Sequence, residues 1–338
     1  MTIKESNIKF RIDINKDKEV PYLFITPFYN AGISWAKCFG ERMKILVVRA
    51  NDAEKKVFEL INKGLKVKNL IFNNATIYTK DLIDYCKEHD IRISSHEQGW
   101  FPHYSTLHFD PLGFSSRSLL AQSRLDNLDI DIEKVQQQIE KYKNKFCQEK
   151  NIFDFKKKYI LLIFQYTYDA TVVNGYEDFI SWQKIVDFAY GLKEREEFLI
   201  IKVNPQNVKT IDGIVLPPDS IAIQTKIFNN YLLKNAKAVV GINSTMLYEA
   251  SLLYDKPVIA LGNSWFDCHP EVVQKVNIDN KIEIKMPSQN DLDYRKKMFY
   301  IMERMQTPVM DKKVFIRTLN FVKYHVKAAS IKKIEEWA

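Results

Sequence analysis

A chain of 338 residues is long for one hydrophobic core and comfortable for two domains of roughly 150 residues each. Its 46% hydrophobic, 13% aromatic and 27% charged residues exclude a disordered chain, and the formal charge of +8 favours an anionic partner. No apolar run approaches the roughly 20 residues that cross a bilayer, and the polar start Met1–Asn7 has no secretory signature, so a cytoplasmic protein is expected.

Along the chain, Tyr22–Phe28 predicts a strand and Ser34–Met43 a helix. Ile45–Val48 predicts a second strand, Asp52–Lys63 a helix with Val57, Leu60 and Ile61 on one face, and Leu70–Phe72 a third strand. A helix over Thr79–His89 and a strand from Ile91 to Ser94 follow. The region from Ser115 to Asp154 is polar, with one helix at Ile132–Phe146, and reads as the connection between domains. The second half repeats the alternation. Strands are expected at Tyr159–Phe164, Phe198–Val203, Ile221–Gln224, Ala238–Ile242 and Val258–Leu261, with helices at Glu177–Leu192, Phe228–Asn235 and Thr245–Leu253. The remainder reads as largely helical.

Strand–helix alternation at this spacing implies parallel βαβ units. The expected fold is α/β with two Rossmann-like, doubly wound domains facing a central cleft. Residues 1–130 form the first domain, 131–154 the connection, 155–310 the second domain, and 311–338 a helical tail.

In such sheets ligands collect outside the carboxyl ends of the strands. The strand Ile160–Phe164 runs into Gln165 and then Asp169, a lone carboxylate among small and hydroxylated residues. Asn243-Ser244-Thr245 stands at a strand-to-helix junction, with Glu249 one turn along the helix. The junction offers an anion site at a helix N-terminus, or plain capping of an ordinary helix. The chain returns to the same edge through Lys256–Leu261 and Gly262. Lys202-Val203-Asn204-Pro205 also ends a strand; lysine there neutralises a phosphate, while Asn-Pro equally starts a turn.

Glu97-Gln98-Gly99-Trp100 ends the fourth strand of the first half. Glu97 suits general acid–base chemistry, Gly99 allows close backbone approach or positive φ, and Trp100 offers a flat face for a sugar or fills a core. His103 and Asp110 follow on the same side, Asp110 bringing a second carboxylate near the first. His96, His103 and His108 lack metal-binding order, so no metal is expected. The four cysteines are scattered and read as reduced structural thiols. Dinucleotide, P-loop, nucleophile-elbow and protein-kinase signatures are all missing, as are nucleic-acid-binding motifs.

Taken in order, these segments resemble the retaining β-Kdo transferases of bacterial capsule and lipopolysaccharide assembly, GT-B enzymes that use CMP-activated 3-deoxy-manno-octulosonic acid (Kdo). The likeness covers about residues 90–285. Glu97-Gln98-Gly99 resembles the family's E-x-G, and Gln165 through Asp169-Ala170-Thr171 its D-Q-T-x-x-D-A-S. Lys202–Pro205 resembles K-x-H-P, and Ser244 through Glu249-Ala250 the S-x-x-x-x-E-A segment. Two positions depart from the pattern: Phe164 stands for Asp, and Asn204 for His. Asparagine donates a hydrogen bond but carries neither charge nor an exchangeable acid proton.

The resemblance implies Asp169 as a nucleophile forming a covalent glycosyl intermediate and Glu97 as acid/base toward the acceptor. It implies Lys202, Asn204, Pro205, Asn243, Ser244, Thr245, Gln165 and Gly262 on the nucleotide-sugar side, Glu249 at the ribose, and Gly99, Trp100, His103 and Asp110 on the acceptor side. CMP-Kdo is then a substrate and no cofactor is required. The acceptor is a saccharide or lipid-linked glycan, with peripheral association at the inner face of the inner membrane. Rival readings are an inverting CMP-sialic acid transferase, a UDP- or GDP-hexose transferase of the same fold, and a non-catalytic binder of anionic glycan.

Overall fold

The computed structural model describes residues 8–9, 19–26, 45–49, 53–73, 80–102, 106–110, 115–147, 157–165, 181–204, 211, 213–224 and 229–308. The chain divides into two compact units, Met1–Leu119 with Met302–Ala338, and Leu120–Ile301.

The first unit carries a seven-stranded sheet among its described residues. Its strands are β1 (Ile8–Lys9), β2 (Glu19–Thr26), β3 (Ile45–Arg49), β4 (Lys66–Asn73), β5 (Arg92–Gln98), β6 (Thr106–Asp110) and β13 (Gln306–Pro308), in the order β1-β3-β2-β4-β5-β6-β13. The pairs from β1 to β5 are parallel, whereas β6 runs antiparallel to both β5 and β13. Helices α1 (Ala53–Asn62) and α2 (Lys80–Glu88) bury Val57, Leu60, Leu82 and Cys86 against Val67 and Leu70. Each helix stops in the same way. The N–H of Leu65 reaches Leu60 O at 3.1 Å past Gly64 (φ 89°), and that of Ile91 reaches Cys86 O at 2.8 Å past Asp90 (φ 52°). These are left-handed caps that turn the chain at once into the next strand.

The second unit is built on β7 (Tyr159–Phe164), β8 (Phe198–Val203), β9 (Ser220–Gln224), β10 (Ala238–Gly241), β11 (Val258–Ala260) and β12 (Gln274–Lys275). They lie in the order β12-β11-β10-β7-β8-β9, all parallel. That is the Rossmann order, with the reversal of direction between β7 and β10. Every residue of β7 and β10 is buried, as central parallel strands require.

Helices α5 (Trp182–Gly191), α6 (Asn229–Asn235) and α7 (Thr245–Tyr254) cover this sheet, with α3 (Leu119–Gln122), α4 (Ile132–Phe146) and α8 (Gln289–Met305) completing the described helices. Ser181 caps α5 through Lys184 N, and Trp182 lies 3.8 Å from the Phe164 ring. Arg295 of α8 is buried and donates to Glu271 O at 2.8 Å and Lys256 O at 3.1 Å, tying the last helix to the loops around β11.

The expectation of a largely helical remainder needs correction. Between β11 and α8 the described chain has no helix: residues 261–288 form turns held by side chains, together with β12. Helix α4, expected as a connection, buries Val135 and Ile139 and counts with the second unit, and Gln306–Pro308 joins the first sheet. The helix expected at 34–43 and the tail 311–338 lie outside the described residues.

One buried histidine ties the start of the second unit to its end. His269 is fully buried, with Nδ1 2.8 Å from Tyr294 Oη and Nε2 2.6 Å from Leu120 O. A carbonyl only accepts, so Nε2 carries the proton and Nδ1 accepts from the tyrosine hydroxyl, which in turn receives the Leu125 N–H at 3.0 Å. Burial, opposed in part by the Leu120 carbonyl, pushes the imidazole down to about 4.

The unfolded chain therefore binds a proton near pH 6.5 that the folded one refuses until about pH 4. Stability rises with pH across this window and is lost on acidification. Between pH 7 and 5 the loss from this residue is expected to be about 2 kcal/mol. Urea unfolding at the two pH values should show a smaller difference in His269→Gln, even though that variant is less stable at pH 7.

Candidate functional site

The carboxyl edge of the second sheet gathers most of the donor-side residues. Gln165 follows β7 and Asn243 follows β10, on the two sides of the reversal. Gln165 Oε1 accepts the Asn243 N–H at 3.0 Å, its Nε2 donates to Asn243 Oδ1 at 3.0 Å, and Asn243 Nδ2 donates to Asn263 O at 3.1 Å. The two amides thus form a buried clasp that carries on the β7–β10 connection after the strands end.

Gly241 lets this edge pack closely, since a Cβ there would stand 3.2 Å from Leu247 Cδ2 and 3.4 Å from Ile163 Cβ. The Gly262 N–H is taken by Ile242 O at 3.0 Å, and the Asn204 N–H by Phe164 O at 3.3 Å. The Gln165 side chain and the Gly262 N–H, both expected on the donor side, are thus engaged within the protein.

Ser244 is the N-cap of α7, its side chain accepting the Met246 N–H, with the Leu247 N–H on its carbonyl at 3.0 Å. Ser244, Thr245 and Glu249 are half-buried, so this helix start keeps access to solvent at the sheet's ligand-binding edge. Lys202 sits near the end of β8, opposite Ile163 of β7, and only 6% of it is exposed. Burial lowers its amine's pKa from the usual lysine range, and the Glu249 carboxylate counters that shift. Tyr142 of α4 shares the neighbourhood: burial and then the charge of Glu249 raise its hydroxyl. Lys202, Glu249 and the start of α7 thus lie together near the sheet reversal, the edge at which sheets of this kind take their ligands. By contrast, the shallow pocket lined by Tyr190, Lys193, Arg195 and Asp219 lies at the opposite, amino-terminal edge of β8 and β9.

In the first unit, Glu97 is half-buried on β5, directly across from His108 on β6. Gly99 follows at the strand end, and a Cβ there would lie 2.1 Å from Thr106 Oγ1 and 2.7 Å from Thr106 Cβ. The Gly99 N–H meets Thr106 O at 2.7 Å, so close backbone approach, rather than positive φ, requires the glycine.

Two acceptor-side expectations are overturned. Trp100 is fully buried and stacks on the His108 ring at 4.0 Å and 13°, so its face is not open to a sugar. Asp110 is also fully buried, both carboxylate oxygens accepting the Leu119 N–H at 2.8 and 2.9 Å. It holds the start of α3 and cannot serve as a solvent-side base. Asp169, Pro205 and His103 lie outside the described residues. Among the described residues no three acidic, histidine or cysteine side chains gather as a metal would need.

Two further residues shape this strand end without a clear signal in the sequence. His108 donates from Nδ1 to Gln98 O at 2.9 Å, and Gln306, far along the chain, bonds the Trp100 and Phe101 amides. The one trace of them in the sequence is the clustering of histidines at 96, 103 and 108.

Gly99→Ala is expected to destabilise the first unit by about 2 kcal/mol, the cost of forcing a methyl into a filled site, measured by urea unfolding. Lys202→Met should change stability by less than about 1 kcal/mol, because removing a buried charge relieves its desolvation. The same variant should weaken nucleotide binding about tenfold or more in calorimetry.

No curated protein sequence matches the chain. Among solved structures it is similar to KpsC of Thermosulfurimonas dismutans, a β-Kdo 2,7 transferase, at 17% identity and TM-score 0.55, covering 82% of this chain and 89% of that one. A β-Kdo 2,4 transferase KpsC structure from the same organism matches at 15% identity and TM-score 0.54, covering 82% and 90%. The fold is accordingly of the GT-B type, α/β with two Rossmann-like units. Residues 121–306 match the family described as capsule polysaccharide biosynthesis protein, a span that takes in the whole second sheet and its reversal point. The chain belongs to the capsule polysaccharide biosynthesis protein family.

Proposed function

We propose that the protein is a glycosyltransferase that moves Kdo from CMP-Kdo to a saccharide or lipid-linked glycan during capsule assembly, with retention of configuration. The observation that carries this reading is the buried Lys202 at the ligand-binding edge of the second sheet, in a chain of a capsule biosynthesis family. A CMP leaving group is anionic, and so is the Kdo carboxylate; a desolvated ammonium and the start of α7 favour both. The similar KpsC structures are Kdo transferases, which supports Kdo as the transferred sugar.

In this mechanism the Asp169 carboxylate attacks the anomeric carbon of Kdo as the bond to the CMP phosphate oxygen breaks, and CMP leaves with the electron pair. The acceptor hydroxyl then attacks the same carbon, its proton passes to Glu97, and the aspartate is released. Two inversions give net retention, and the Asp169 carboxylate is regenerated. Lys202 and the α7 start hold the departing phosphate. Asn204 supplies a neutral hydrogen-bond donor where the resembled motif has histidine, so phosphate charge falls more heavily on Lys202. The net charge of +8 suits peripheral association with an anionic membrane face. No described helix is long and apolar enough to cross a membrane.

A thermal-shift panel of CMP, UDP and GDP tests the donor class. CMP at about 100 times its Kd should stabilise the fold by roughly 2.7 kcal/mol, with UDP and GDP giving little. Stabilisation by UDP alone would remove CMP-Kdo as the donor. Asp169→Asn should lower turnover of CMP-Kdo by about a thousandfold or more while leaving CMP binding intact. Persistent failure to trap a sugar on Asp169 in single turnovers would instead favour an inverting transferase.

A further inference from the structure

The backbone that follows Glu97 is held by a side chain from the far end of the described chain. Gln306 opens β13 and is directly opposite His108, which in turn is directly opposite Glu97. Residues facing each other across antiparallel strands project to the same side, so Glu97, His108 and Gln306 form one row across β5, β6 and β13. Gln306 is 6% exposed, and its carboxamide is heavily used. Oε1 accepts from Trp100 N at 2.8 Å and Phe101 N at 2.8 Å, while the Thr106 hydroxyl beside it gives its proton to Pro102 O at 2.9 Å. Nε2 donates to Phe101 O at 2.5 Å.

This one amide therefore binds both the N–H and the C=O of Phe101 and the N–H before it. Gly99 is part of the same fit, since a Cβ there would come within 3.0 Å of Gln306 Oε1 as well as striking Thr106. On the other side, His108 grips the Gln98 carbonyl through Nδ1 at 2.9 Å while its ring stacks on Trp100. Residues 98 to 101 are thus fixed at every step by groups from β6 and β13, immediately after Glu97.

We propose that Gln306 is a positioning residue for Glu97: by clamping the Trp100–Phe101 peptide it sets the exit of β5 and hence where the Glu97 carboxylate stands for proton transfer. The inference rests on Glu97 being the acid/base of the proposed reaction. It assigns a reaction role to a residue more than 200 positions from Glu97 in sequence. A displacement of about 1 Å in such a group costs roughly a hundredfold in rate, so a peptide clamp beside it acts on turnover more than on binding.

Three variants of the full chain test this: Gln306→Met, which keeps the volume and removes the hydrogen bonds; Gln306→Glu, which keeps the acceptor oxygen; and Glu97→Gln. Steady-state turnover of CMP-Kdo with water as the acceptor, in which each cycle needs the deprotonation assigned to Glu97, and amide hydrogen exchange are followed in each. In Gln306→Met the kcat is expected to fall about tenfold or more with the KM for CMP-Kdo within about twofold, because the donor residues belong to the other unit. Exchange at Trp100 and Phe101 should quicken about tenfold while the second unit keeps its protection. Gln306→Glu should recover part of both.

A Gln306→Met protein with parent kcat beside an inactive Glu97→Gln overturns the role of Gln306 alone. Parent turnover in Glu97→Gln overturns the acid/base reading and this inference with it. Unchanged exchange at Trp100 and Phe101 in Gln306→Met overturns the clamp even where CMP-Kdo is not turned over.

Discussion

The second unit is organised by β7, which makes parallel ladders with β8 on one side and β10 on the other. Strand connections leave in opposite directions from this point, so the ladder between the two strands stops at their carboxyl ends. The place where it stops is buried, and buried amide groups left unmade cost about 1–3 kcal/mol each. Gln165 and Asn243 resolve the conflict by bonding to each other, side chain to side chain and side chain to backbone. With that clasp in place the chain is aimed into α7 with Ser244 as its cap, and the Asn263 carbonyl brings the loop after β11 to the same edge. Lys202 comes from the neighbouring strand of the same ladder.

The apolar runs made this part of the fold legible. Tyr159–Phe164 and Phe198–Val203 are bounded in the structure as their sequences suggest, because fully buried parallel strands need unbroken apolar runs flanked by polar residues. Helix α4 is bounded as expected too, with Asp131 as its N-cap. The first unit hid more. Strand β6 reads Thr-Leu-His-Phe-Asp, with its polar side chains on one face, and β13 is three residues ending in proline. Neither has a local signal strong enough to stand out, since both owe their pairing to a partner strand rather than to propensity. The two readings of Trp100, open platform or core residue, stay undivided in the sequence for the same reason: what covers it is His108, from a strand without a signal of its own.

Within the site, residue type alone did not separate supports from ligand-binding groups. Gln165, Asn243 and Gly262 stand at strand ends in the pattern a ligand site would show, yet their polar groups make the bonds that shape the edge. Amide side chains imitate the backbone in donor and acceptor, so they are as well suited to extending a ladder as to meeting a phosphate. A lysine cannot do the first of these jobs. Having three donors and no acceptor, it gains little from a strand end and loses hydration by being there. Asp110 makes the complementary point: a carboxylate that looked available is spent on the Leu119 N–H.

That leaves the question of why a strand this apolar keeps Lys202 at all. Leu199, Ile200 and Ile201 beside it are fully buried, and an apolar residue of the same length would cost the fold nothing there. Desolvation opposes the charge, and Glu249, itself half-buried one turn into α7, offsets only part of that cost. Tyr142 lies in the same field, so α4 is coupled to the charge pair as well as packed on the unit. A cation stripped of water is poorly satisfied until an anion arrives, and the same stripping strengthens its attraction when one does. Lys202 therefore costs the fold stability where it stands, and the same burial strengthens its attraction for an anionic group at the sheet edge, the role proposed for it above. This is the pattern expected of a residue retained for binding, and the start of α7, aimed at the same edge, adds its dipole in the same direction.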